Sequence, residues 1–156
     1  MAAGRAEWTA AASIPVRRRR PARRRIVKVE LHCHTSRYSA CATSTPAEVL
    51  ERASQLGYGA VFLTEHDAVW SPAELAQVGR EQPDVRVFGG GDRSILGDEM
   101  LHLLVLGTTD PEYLRLSSAP EIIARAREAG HLTVLAHPFR WAGAETVLDG
   151  DVLPDA

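Results

Sequence analysis

From Ile26 onward the chain alternates short apolar runs of strand length with longer stretches of helical period. Val27-Lys28-Val29-Glu30-Leu31 alternates apolar and polar and predicts a first strand. Thr45-Pro46-Ala47-Glu48 predicts a helix start: Thr45 can cap, Pro46 suits the first turn, and Glu48 completes a capping box. Val49, Leu50, Ala53 and Leu56 give that helix an apolar face, and Gly57 marks its end. Ala60-Val61-Phe62-Leu63 is apolar throughout, the pattern of a strand buried on both faces. The punctuation then recurs. Ser71-Pro72-Ala73-Glu74 opens a second helix ahead of Leu75 and Val78, and Val85-Arg86-Val87-Phe88 predicts a third strand running into Gly89-Gly90-Gly91. Residues 100–106 predict a further strand, as a hairpin partner rather than a crossover strand. Ser118-Ala119-Pro120-Glu121 caps a third helix with Ile122, Ile123, Ala126 and Ala129 inward and Gly130 at its end; residues 132–136 are the last clear strand.

This rhythm predicts the α/β class, with a parallel sheet or barrel. In such folds function sits at the carboxyl ends of the strands. Length allows one domain with a real core, 26–156, preceded by a tail, 1–25. The formal charge is -2, but residues 1–25 carry eight arginines against the single acid Glu7; removing that +7 leaves about -9 for the rest. The tail lacks any strand or helix period and is expected to be disordered, with a nucleic-acid-binding arm as its functional alternative. No apolar run approaches a membrane span, so no membrane partner is expected. Two cysteines, Cys33 and Cys41, make no disulfide framework, and the expected compartment is the reducing cytoplasm.

The predicted strand ends carry a repeated chemistry. Strand one ends in Leu31-His32-Cys33-His34, strand two in Thr64-Glu65-His66-Asp67, strand three in Gly89-Gly90-Gly91-Asp92, and the last in Ala136-His137-Pro138. In an extended segment residues i and i+2 face one side, so His32 and His34 can converge on one point. Imidazole nitrogens and carboxylate oxygens suit zinc, manganese and iron. A His-x-His pair is weak alone and strong with three more such groups at matching strand ends.

The runs Glu30-Leu31-His32-Cys33-His34-Thr35, Tyr38-Ser39, Phe62-Leu63-Thr64-Glu65-His66-Asp67 and Leu135-Ala136-His137-Pro138 resemble the PHP family (polymerase and histidinol phosphatase) over roughly residues 27–150. The resemblance implies a distorted (β/α)7 TIM-like barrel holding two or three divalent ions (Mn, Zn or Fe) and cleaving phosphoesters. It implies His32, His34, His66, Asp92 and His137 as metal ligands. Three departures accompany it. Glu65 stands where the family has Asp, Asp92 where it has Glu, and Ala40 where many members have an acid or histidine. Nothing after Leu148 supplies the family's final Asp-x-His ligands, so a partial barrel is expected.

The expected function is a metal-dependent phosphoesterase, a hydrolase acting on a small phosphate ester or nucleotide. Asp92 is the candidate bridging carboxylate, and His137 a ligand or a proton donor to the leaving group. Arg140 can meet a phosphate through its planar fork, or serve as a surface ion-pair residue. His102 is expected as a packed or edge histidine and His131 as a helix-end residue. Trp70 and Trp141 are read as core, Cys33 as buried opposite its flanking histidines, and Arg37 and Tyr38 as candidate substrate contacts. Three alternatives stand beside this reading. An inactive structural PHP module fits the missing late ligands. A nuclease acting on nucleic-acid ends would use the arginine tail. An amidohydrolase is disfavoured because the single lysine, Lys28, lies at the wrong end of strand one to be a bridging ligand.

Overall fold

The computed structural model describes residues 27–95 and 98–138. They form five strands, three α-helices and one 3-10 turn. β1 (Lys28–Cys33) leads through α1 (Pro46–Gln55) to β2 (Tyr58–His66), and through α2 (Pro72–Glu81) to β3 (Arg86–Ile95). β4 (Asp98–Leu106) follows at once. A 3-10 turn (Pro111–Arg115) and α3 (Ala119–Ala129) then lead to β5 (Leu132–Ala136). Arg140, Trp141, the arginine tail and the chain after Leu148 lie outside the described residues.

The helices start where the capping boxes placed them. Thr45 Oγ1 accepts from the Glu48 N–H, and the Glu48 carboxylate accepts from the Thr45 N–H at 2.7 Å. Ser71 and Glu74 repeat this pair, and the Glu121 carboxylate accepts from both the N–H and the hydroxyl of Ser118. Gly130 ends α3 in the left-handed region, with φ of 74°, where a Cβ would be strained. Leu56 and Ala129, expected to face inward, are exposed because each falls in or just past the last turn.

The sheet order is β1-β2-β3-β4-β5. β1, β2 and β3 are parallel, whereas β4 is antiparallel to both β3 and β5. The sheet is therefore mixed, not wholly parallel as the repeating strand–helix rhythm predicts. Only residues 96 and 97 separate β3 from β4, too few for a crossover helix. The result is a curled half-barrel with helices on one face. β3 also runs further than expected. Gly89, Gly90 and Gly91 lie inside it, all three paired with β2 and Gly90 and Gly91 with β4 as well, so Asp92 is a mid-strand residue. A Cβ on Gly90 would come within 2.9 Å of both the Val105 carbonyl and Thr64 Cγ2, so glycine lets the strands meet here.

Alternation sorts the sheet into two faces. Val61 and Leu63 pack with Leu50, Ala53 and Val78 beneath α1 and α2, while Leu103 and Val105 pack with Ile122, Ile123 and Ala126 of α3. Each valine, leucine or isoleucine among them, fully buried, contributes about 1.5–3 kcal/mol. The opposite face carries Phe62, Leu104, Leu106, Val134 and Ala136, with Phe62 stacked on Phe88. Continued toward the carboxyl ends of β2 and β3, that second face presents His66 and Asp92, which are directly paired.

Candidate metal centre

Asp92 is fully buried, and four imidazole nitrogens approach its carboxylate. Oδ2 lies 3.3 Å from His32 Nε2, 3.6 Å from His34 Nε2 and 3.2 Å from His66 Nδ1. His102 Nδ1 is 3.1 Å from both oxygens. His137 completes the group through its ring. Neighbouring ring centroids are 4.8 Å apart for His32 and His34, 4.1 Å for His34 and His66, and 5.0 Å for His66 and His102. They are 5.2 Å apart for His102 and His137, and 5.7 Å for His137 and His32. Five of the six histidines thus close a ring around one carboxylate.

The structure brings together His32, His34, His66, Asp92 and His137, and adds His102. The expected packed-histidine role for His102 is corrected by the sheet. Because β4 runs opposite to β3, the start of β4 lies at the site end, and His102 pairs with Ser94 and Ala136 there. His131, by contrast, pairs with the Tyr113 hydroxyl at 2.8 Å, away from this group.

Two turns aim the ligand-type residues. Asp67, next after His66, has φ of 44°, and His137 has φ of 35°. A non-glycine residue there costs on the order of 1–3 kcal/mol and persists only where its surroundings enforce it. Asp67 is enforced: its N–H donates to the Asp92 carbonyl, and its carboxylate accepts from Arg93, the Ser94 N–H and the Ser94 hydroxyl. This clasp fixes His66 against Asp92.

Glu65 supports the group from the helix side. It is fully buried, and its carboxylate accepts from the Thr35 N–H (3.0 Å), the Thr35 hydroxyl (2.6 Å), the Ser39 hydroxyl (2.6 Å) and Trp70 Nε1 (3.1 Å). Ser39 has one hydrogen and spends it on Glu65. At its other contacts, the His66 N–H (3.1 Å) and His34 Nδ1 (3.3 Å), its oxygen must accept. His34 therefore carries its proton on Nδ1 and turns a bare Nε2 toward Asp92. Burial, then the neighbouring His66 and His32, push the His34 pKa down to about 4, so the ring is neutral at pH 7.

Burial raises the Asp92 carboxyl, but the His32 hydrogen bond and the charges of His102, His32 and His66 outweigh it, so the pKa is held below the usual range. Cys33 packs against the α1–α2 core, and burial, with Glu30 and Glu65 nearby, pushes its thiol up to about 11. Arg37 and Tyr38, expected as substrate contacts, both bond Glu74 of α2. A cavity of about 220 Å³ beside them, lined by Arg37, Thr45, Trp70 and Glu74, contains none of the histidines.

The donor set fits a divalent ion. Ligand bonds near 2.0–2.2 Å place two tetrahedral ligands roughly 3.3 Å apart, which is the spacing of these nitrogens and oxygens. His32, His34 and Asp92 form one candidate group, and His66, Asp92 and His102 a second that shares the carboxylate. His66 Nδ1 is buried, and its approach to Asp92 does not have hydrogen-bond geometry, as suits a lone pair reserved for a cation. Among the described residues no helix is long and apolar enough to cross a membrane.

No family model matches this chain. A 100-residue stretch is 33% identical to an error-prone DNA polymerase of Mycobacterium tuberculosis, covering 59% of this chain and 9% of the polymerase. A 90-residue stretch is 30% identical to a PolC-type DNA polymerase III of Clostridium perfringens, covering 56% of this chain and 6% of that one. The chain thus spans about a tenth or less of the length of these curated relatives. Among solved structures, an amidohydrolase from Chromobacterium violaceum with bound sulfate and no metal aligns at a TM-score of 0.43 and 23% identity, covering 65% of this chain and 34% of that one. The polymerase relatives and the mixed α/β sheet are consistent with a PHP-like fold.

Proposed function

We propose that this domain is a metal-dependent hydrolase of phosphate esters, of the PHP type. The observation that carries the reading is one buried carboxylate shared by two imidazole groups. His32 and His34 with Asp92 would hold one divalent ion, and His66 and His102 with Asp92 a second. A bound divalent ion lowers the pKa of its water to about 7 and polarises a phosphoryl oxygen.

The chain's own residues supply the rest. Asp92 brings the negative charge that two adjacent cations require. Ser39, itself held by Glu65, fixes the His34 tautomer, while burial with His66 and His32 alongside keeps the ring neutral. His137, beside His32 and His102, is the candidate to give a proton to the leaving oxygen. Arg140, three residues on, is proposed to bind the phosphate. Phe62, Phe88 and Leu104 lie on the same face of the sheet as this group.

The test is metal analysis of the purified chain beside hydrolysis of p-nitrophenyl phosphate, bis-p-nitrophenyl phosphate and p-nitrophenyl acetate, with manganese or zinc. The expected result is more than one equivalent bound and phosphate-ester turnover that H34A abolishes. Less than one equivalent, or turnover of the acetate alone, sinks the reading. Bound metal with no turnover points instead to an inactive module. The likeness to DNA polymerases favours a nucleic-acid substrate over a small metabolite. Release of nucleotides from single-stranded oligonucleotides, lost on deleting residues 1–25, supports that version; turnover unchanged by the deletion removes the arm from it.

A further inference from the structure

We propose that Cys41 is a thiolate metal ligand at the mouth of the centre, acting with His34 and His66, and that it biases the centre toward thiophilic ions. This rests on the metal-dependent reading above. The Cys41 thiol and ring nitrogens of His34 and His66 all lie within 4.8 Å of one another, forming a third candidate group beside the two that share Asp92. The other cysteine cannot take this role, because Cys33 packs into the α1–α2 core. Cys41 is exposed, so an arriving ion meets it first.

Its position is built rather than incidental. The segment between β1 and α1 is closed by the Ser36 N–H to the Ser44 carbonyl at 2.8 Å and by the Ala42 N–H to the Ser39 carbonyl at 3.1 Å. Ser39 is in turn anchored on buried Glu65. The same anchor that sets the His34 tautomer therefore sets where Cys41 stands. The His34 and His66 rings that share this group are stacked with centroids 4.1 Å apart.

The chemistry separates this group from the other two. Thiolate with imidazole suits zinc, cobalt and iron(II), whereas carboxylate with water suits magnesium and manganese. Binding would exchange the S–H bond for a sulfur–metal bond, release one proton to solvent and change no oxidation state. Ser39 engages His34 Nδ1, which leaves Nε2 as the ligating nitrogen of that ring, so the Cys41 group would compete with the Asp92 group for His34. A thiophilic ion gains by moving to the mouth; a hard ion stays at Asp92.

Cobalt(II) titration of the full chain tests this, with thiolate-to-cobalt charge-transfer absorption as the readout and equilibrium dialysis counting bound cobalt. The expected result is a charge-transfer band in the natural chain that is absent in Cys41→Ser. The zinc affinity of C41S should fall roughly tenfold or more, since even partners one step removed from a metal are worth 10–100-fold. Its manganese affinity should stay within about twofold, because oxygen-preferring ions have little use for the thiol. Far-ultraviolet circular dichroism confirms that the exposed substitution leaves the fold intact. Bound cobalt without the band, or a band that persists in C41S, overturns the Cys41 assignment and leaves the metal reading standing. No bound cobalt, zinc or manganese overturns both.

Discussion

Replacing Glu65 by glutamine isolates the contribution of one buried carboxylate to the fold beneath the histidines. Oε1 accepts from the Thr35 hydroxyl and Trp70 Nε1; Oε2 accepts from the Thr35 N–H and the Ser39 hydroxyl. The amide must place its NH2 at one of these positions. At the first it faces the Trp70 N–H, and at the second the Thr35 N–H. A hydroxyl can rotate and accept; an indole or backbone N–H cannot. Either orientation strands one buried donor against another and strips the charge from the remaining bonds. Hydrogen bonds to a charged group are worth about 1.5–3 kcal/mol and a stranded donor costs about 1–3 kcal/mol, so with relief of carboxylate desolvation working the other way the net loss is about 2–4 kcal/mol. For a chain of 156 residues, about 2–4 °C per kcal/mol turns this into a midpoint lowered by roughly 5–15 °C. Thermal unfolding in metal-free buffer, followed by circular dichroism, measures it. A midpoint unchanged within about 2 °C would refute the donor count. Zinc affinity gives a second readout, expected to fall by roughly tenfold or more because Ser39 no longer fixes the His34 tautomer.

His102→Ala should lower bound metal by about one equivalent while the affinity of the remaining ion changes little, since only the second group uses this ring; unchanged stoichiometry by metal analysis rules that group out. Gly90→Ala should destabilise by about 1–3 kcal/mol, because the new methyl meets the Val105 carbonyl and Thr64; urea unfolding with no shift in midpoint contradicts the close approach. Glu74 has its pKa lowered from 4.5 to about 2, first by the Tyr38 hydroxyl and then by Ser71. A folded value below the unfolded one stabilises above pH 4.5, and the benefit is lost as the pH falls toward 2. The midpoint gap between the natural chain and E74Q should therefore shrink as the pH drops from about 6 to about 3; a gap that widens has the wrong sign.

The residues most legible in the sequence were those on strands running the expected way. His32, His34, His66 and His137 sit at or just past the ends of β1, β2 and β5, where a repeating strand–helix pattern puts chemistry. Asp92 was found for a slightly wrong reason, since the glycines before it lie within the strand and do not end it. His102 was missed because the rule about strand ends inverts on an antiparallel strand. The hairpin expectation already contained the remedy: a partner antiparallel to β3 must begin at the site end. Its even spacing with Leu104 and Leu106 was the accompanying signal. Glu65 and Cys41 had no periodic cue. The donors to Glu65 are scattered over Thr35, Ser39 and Trp70, and only the fold collects them. The position of Cys41 depends on loop closure between residues 36 and 44.

The β3–β4 hairpin carries a further consequence. His102 reaches Asp92 only because the two strands are held in one register, with Ser94 opposite His102. A slip of one residue would turn His102 toward the helices and offer Leu101 or Leu103 to the carboxylate in its place. The pairing of Ser94 with His102 is therefore as much a part of the site as the histidines are: a shift there would unbuild half of the centre without altering a single ligand.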